Sequence, residues 1–169
     1  MIKQVQHNEL DTCLLVIRES FADVAHEFNL TKENCPNHTS FITMDILKYH
    51  WDNGFLMYGF YLGDEAIGYV SLENKGNTVF ELRNLSVLPE YRKKGYGEQL
   101  LAFCKIKVKE LNGTKISIGI IEENIKLKNW YIRNGFIHTG TKQFDHLPFT
   151  VGYMECPVYV PDFMVRSTL

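Results

Sequence analysis

Three apolar runs, FLMYGFYL (55–62), AIGYVSLE (66–73) and TVFELRNLSV (78–87), follow one another with only GDE and NKGN between them. Segments of that length leave no room for a crossover, so the three runs must pair as an antiparallel meander. A helical stripe comes next: Leu100, Leu101, Cys104, Val108 and Leu111, closed by Asn112-Gly113. TKISIGII (114–121) then resumes strand alternation through Ile116, Ile118 and Ile120. A strand reached through a helix is expected to lie parallel to TVFELRNLSV, with a right-handed crossover. The expected class is α/β, an α+β arrangement on a mixed sheet.

The third run carries a fault in its alternation. Phe80 and Leu82 keep one face, and the pattern resumes at Leu85 and Val87, one residue late. One extra residue in a period of two predicts a β-bulge, which splays the strand and leaves backbone groups unpaired.

The remaining elements flank this centre. Leu10, Leu14, Ile17, Phe21, Val24 and Phe28 recur at helical spacing, with Asn8 at the expected cap. A second helix is expected from about Thr39 to Trp51; its apolar residues spread over two sides, as suits a helix that walls a pocket as well as a core. Asn124 is expected to cap a short helix ending at Arg133, with Gly135 as its left-handed stop. FIHTGTKQF and TVGYMECPVYV read as a closing pair of strands, and residues 2–5 as a short opening one. No repeat or linker interrupts the order, so residues 1–169 are expected to form a single domain.

Composition narrows the function. With 45% hydrophobic residues the chain can close one sizeable core, and a formal net charge of −2 supplies no overall field for nucleic acid or an anionic membrane. Four dispersed cysteines without a CxxC pair fit reduced thiols, and no stretch approaches the roughly 20 apolar residues that span a bilayer; a cytoplasmic location is expected. Cys35 and His38 form C-x-x-H without a second ligand pair, so no metal is expected.

PEYRKKGYGEQLL (89–101) sets three basic residues and two closely spaced glycines ahead of a helix. Amides of a Gly-rich turn at a helix N-terminus converge on an anion, and the helix dipole strengthens the site. A solvated basic loop is the plainer alternative. A dinucleotide fingerprint would need a third glycine where Leu100 stands, and a phosphate loop would need G-x-x-x-x-G-K-[ST]; neither is present.

LSVLPEYRKKGYGEQLL, with Arg92-x-x-Gly95-x-Gly97 after a bulged strand, resembles the acyl-CoA loop of the GNAT superfamily of N-acyltransferases. NIKLKNWYIRNGF resembles a second element of that family, with Asn124, Tyr131, Gly135 and Phe136 at matching spacing and Leu127 in place of the usual small residue. The resemblance implies a twisted mixed sheet of about seven strands with helices on both faces, splayed between the fourth and fifth strands.

By the same resemblance the protein moves an acetyl group from acetyl-CoA to a primary amine of a small molecule or peptide. The alternative is a catalytically silent acyl-CoA-binding or regulatory domain. The resemblance assigns the diphosphate to Arg92, Lys93, Lys94, Gly95, Tyr96 and Gly97, the pantetheine arm to backbone groups of Leu85 and Val87, and a supporting place to Asn124. Tyr131 would protonate the departing thiolate. Glu81 is either a general base or the ion-pair partner of Arg83 or a lysine. By the resemblance the acceptor pocket is expected to be built by the region between the first two helices and by the last hairpin. His26, Glu27, Asp145 and His146 default to surface positions, with that pocket as the alternative. The apolar segment PVYVPDFMVRSTL (157–169) is expected to pack on its own sheet or on a second subunit as a homodimer.

Overall fold

The structure, a computed structural model, describes residues 1–158. Seven strands form one sheet in the order β1-β2-β3-β4-β5-β7-β6. Their ranges are β1 Ile2–Gln4, β2 Leu56–Leu62, β3 Glu65–Asn74, β4 Val79–Val87, β5 Lys115–Ile121, β6 Ile137–Gln143 and β7 Thr150–Pro157. Four helices complete it: α1 Leu10–Glu27, α2 Met44–Asp52, α3 Tyr96–Glu110 and α4 Ile125–Arg133. All pairings are antiparallel except β4 with β5, the neighbours joined through α3.

Strand alternation sends residues to two cores. Tyr58, Phe60, Val70 and Leu72 pack with Leu100, Leu101, Cys104 and Val108 of α3, whereas Met57 and Tyr69 pack with Leu10, Cys13, Ile17 and Leu47 of α1 and α2. Helices therefore cover both faces. Leu100, Val108, Leu47 and Ile17 are fully buried, each stabilising the fold by about 2 kcal/mol of gross transfer free energy.

Several local expectations are corrected. The first helix is entered through a 3-10 turn, in which the Glu9 carboxylate accepts the Gln6 N–H at 2.7 Å, so Asn8 is not its cap. The deepest line of α1 is Leu10, Cys13, Ile17 and Ser20; Leu14, Phe21, Val24 and Phe28 are only half-buried. The second helix starts late because Thr39–Phe41 forms a separate 3-10 turn and the Thr43 hydroxyl caps α2 by accepting the Ile46 N–H at 3.4 Å. Leu111 is exposed, and Asn112, at φ +58°, takes the left-handed position after α3. The segment expected to pack on the sheet or on a second subunit lies, from residue 159 onward, outside the described residues.

Candidate active site

The parallel pairing of β4 with β5 covers only Val79–Glu81 against Lys115–Ser117. Both strands continue, β4 to Val87 and β5 to Ile121, so the sheet opens into a wedge beyond residue 81. The expected bulge lies on that wedge. Tyr69 faces Ser86 and Ser71 faces Arg83, which sets Val70 alone against Asn84 and Leu85. Asn84 adopts φ +54°, a region asparagine tolerates better than branched residues do. Its carbonyl accepts the Ser86 hydroxyl at 2.7 Å, which holds the turn.

A continuous cleft of about 960 Å³ fills the wedge, large enough for an extended small-molecule ligand. Leu85 and Val87 line one wall, Ile118 and Ile120 the facing one. Lys93, Gly97, Asn124, Trp130 and Tyr131 line it as well.

At one end stands the glycine loop. Gly95 caps α3 with φ +81°, where a Cβ would be strained although nothing lies within 4 Å. The first amide of this region to find a backbone carbonyl is that of Gln99, donating to Gly95 O at 3.0 Å. The amides of residues 93–98 have no hydrogen-bond acceptor among the described residues. Six consecutive donors at the positive end of a 15-residue helix are the electrostatic basis of an anion cradle. Gly97 also makes room: a Cβ there would meet the Trp130 ring at 3.2 Å.

Arg92 departs from its expected part in that cradle. Its amide donates to Pro89 O at 3.3 Å, its Nε donates to Val87 O at 3.0 Å, and its Nη groups bind Ser20 O and the Asp23 carboxylate on α1. A guanidinium committed to a helix opposite is a clasp between loop and α1. Lys94 likewise turns aside, its Nζ 5.2 Å from the centroid of the Tyr91 ring. Of the three basic side chains, that of Lys93 remains at the cleft wall without a hydrogen-bond or ion-pair partner among the described residues.

Asn124 accepts the Leu127 N–H at 3.1 Å and so caps α4, with Gly135 at φ +90° ending it. This places Tyr131 beneath the wedge, in edge contact with Trp130 (4.9 Å) and Phe136 (5.1 Å). Burial, with a smaller contribution from Cys104, raises the Tyr131 pKa, so the phenol keeps its proton at neutral pH. Glu81 stands on the same wall of the cleft. Its Oε2 meets Arg83 Nη2 at 3.1 Å and Lys75 Nζ at 3.6 Å, so the ion pair left open by the sequence forms. Its Oε1 has no partner among the described residues.

Residues 21–136 match the family described as Acetyltransferase (GNAT) family. The chain belongs to the GNAT acetyltransferases. Over 80 residues it is 36% identical to the uncharacterized N-acetyltransferase YvbK of Bacillus subtilis, a match covering 47% of the chain and 51% of that relative, about half its length. The fold is shared with the ribosomal-protein-S18-alanine N-acetyltransferase of Escherichia coli, at TM-score 0.76 and 12% identity over 100% and 97% of the two chains. It is also shared with the paia N-acetyltransferase of Thermoplasma acidophilum in complex with coenzyme A, at TM-score 0.71 and 21% identity over 93% and 98%.

The wall of the GNAT cleft also includes Phe21, Val24 and Glu27 of α1, and Leu147, Phe149 and Val151. Glu27 thus reaches the cleft, while His26, Asp145 and His146 do not line it. Sequence periodicity missed Phe149 and Leu147 because they sit in an irregular loop. No group of three or more metal-ligating side chains occurs among the described residues, and no helix there is long and apolar enough to cross a membrane.

Proposed function

We propose that this GNAT acetyltransferase transfers the acetyl group of acetyl-CoA to a primary amine inside the β4–β5 wedge. The observation that carries the reading is that one cleft is lined both by Lys93, Gly97 and Glu98, whose amides are unpartnered among the described residues, and by Tyr131. The diphosphate lies on those amides with Lys93 beside it, and the pantetheine arm lies along the open edge of Leu85 and Val87 as an added strand would. The complex of the Thermoplasma neighbour with coenzyme A supports that choice of co-substrate.

Transfer needs an amine lone pair, a polarised carbonyl and a proton for sulfur. Glu81 Oε1 takes one proton from the ammonium. The neutral nitrogen attacks the thioester carbon, whose oxygen draws on a main-chain N–H released by the Asn84–Leu85 bulge. The carbon–nitrogen bond forms, the carbon–sulfur bond breaks, and the leaving thiolate takes the Tyr131 proton. The second nitrogen proton restores the phenol.

Thiol release from acetyl-CoA with a panel of polyamines, aminoglycosides, amino acids and peptides tests the activity. The expected result is turnover that falls about tenfold or more in Tyr131→Phe with coenzyme A binding unchanged. Coenzyme A binding without turnover of any amine would establish the silent binding domain in its place.

A further inference from the structure

On the α2 side of the bulge lies a second pocket of about 140 Å³. Asn37, His38, Thr39, Arg83 and Asn84 belong to its wall and to that of the main cleft, so the two spaces adjoin at the bulge. Ile42, Ile46 and His50 close its far side. Neither Asp nor Glu lines it, whereas its polar groups are mostly donors.

Three of the polar groups are oriented by bonds made elsewhere, and a fourth has none. Arg83 gives Nε to Glu73 at 2.6 Å and Nη2 to Glu81 at 3.1 Å, leaving Nη1 without a partner among the described residues. Asn84 accepts the Thr39 hydroxyl through Oδ1 at 3.4 Å, which leaves its amide NH2 to donate. His38 Nδ1 is held by Ser40, 2.8 Å from its hydroxyl and 3.3 Å from its N–H, which leaves Nε2 without a partner among the described residues. His50 is 8% exposed, stacks on Phe55 at 4.3 Å and has no partner for its buried Nδ1. Burial, then the charge of Arg83, pushes its imidazole pKa down, while Glu73 opposes them.

We propose that this pocket binds the carboxylate of the acceptor, and that the acceptor is therefore a small free amino acid whose amine reaches the cleft beside the bulge. The volume suits a carboxylate and its α-carbon. Glu73 and Glu81 hold two edges of Arg83 from outside the pocket, so the donors that converge inside it, Arg83 Nη1 among them, suit a planar anion, and a buried imidazole lacking a partner gains one. A polyamine would place a cation against Arg83 instead. This inference rests on the acetyltransfer reading.

The test uses matched acceptors, phenylalanine with phenethylamine, leucine with isoamylamine and 4-aminobutyrate with butylamine, each followed by thiol release from acetyl-CoA. Two charge-assisted hydrogen bonds predict that kcat/KM is about tenfold or more higher for the carboxylate-bearing member of at least one pair. Ile46→Trp places an indole at the pocket rim, where Ile46 is 37% exposed. It should collapse that ratio toward unity, with the melting temperature checked to show an intact fold. Equal or better turnover of every amine lacking a carboxylate would overturn the proposal, as would equal losses for both members of a pair in the variant.

Absence of turnover with every amine would count against the acetyltransfer reading alone. The pocket is then judged by thermal shift with coenzyme A present: phenylalanine raising the melting temperature where phenethylamine does not upholds it, and no difference overturns it.

Discussion

Arg92 separates two physical accounts of the glycine loop, because a phosphate ligand and a clasp fail differently when removed. Arg92→Met keeps the aliphatic stem and deletes the guanidinium. The loss includes the donor to Val87 O at 3.0 Å, the donor to Ser20 O and the ion pair with Asp23. The two carbonyl bonds are charge-assisted, but the side chain is 34% exposed and water replaces part of them, so together they are worth about 2 kcal/mol. The Asp23 pair, with its carboxylate 55% exposed, adds on the order of 0.5 kcal/mol. For a domain of this size that sum lowers the melting temperature by about 5–10 °C. Asp23→Asn should lower it by only about 1–2 °C. Thermal unfolding of the ligand-free protein measures both, since no phosphate is present to confuse the comparison. An Arg92→Met protein that melts with the parent yet loses coenzyme A affinity would refute the clasp and restore the phosphate ligand.

Other outcomes follow from the same geometry. Lys93→Glu should weaken coenzyme A binding more than Lys94→Glu does, with a difference that shrinks as salt is added, measured by titration at two ionic strengths. Gly113→Ala would place a Cβ 2.4 Å from Val108 Cγ1 and 2.9 Å from the Phe80 ring, an overpacking worth about 1–3 kcal/mol in urea unfolding. Gly119→Ala, 3.7 Å from Val151 Cγ1, should leave stability within about 0.5 kcal/mol of the parent. The Lys128 ammonium holds the Glu122 carboxyl below its ordinary pKa, burial opposes it as the next-largest influence, and His138 adds to the lowering. Its folded pKa is depressed, so the stabilisation is present above the unfolded value and is lost as pH falls through the folded one. Urea midpoints should therefore drop from about pH 5 downward, and Glu122→Gln should flatten part of that drop.

How much of this was legible follows from the range of each interaction. The meander, the parallel return through α3 and the bulge at Asn84–Leu85 are written in periods of two and 3.6, which depend on near neighbours alone. Helix ends were less legible. The separate turn at Thr39–Phe41 and the Gln6–Glu9 entry to α1 arise from side-chain hydrogen bonds that compete locally with helix continuation. Tyr131 and the 92–97 loop are named from motif spacing; the structure brings Tyr131, Arg92, Lys93 and Gly97 to one cleft, while Lys94, Gly95 and Tyr96 do not line it.

The sequence by itself determined the order of the elements, the shifted alternation of β4 and the freedom of the amides that precede α3, since each is a property of a short run of backbone. Tertiary structure alone decided that Arg92 serves α1, that Glu81 pairs with Arg83, and that the pocket α2 was expected to wall is lined with donors and lies at the bulge. Those outcomes depend on which side chains come together from positions as far apart as Asp23 and Arg92. A charge in a sequence has no partner until the chain has folded around it.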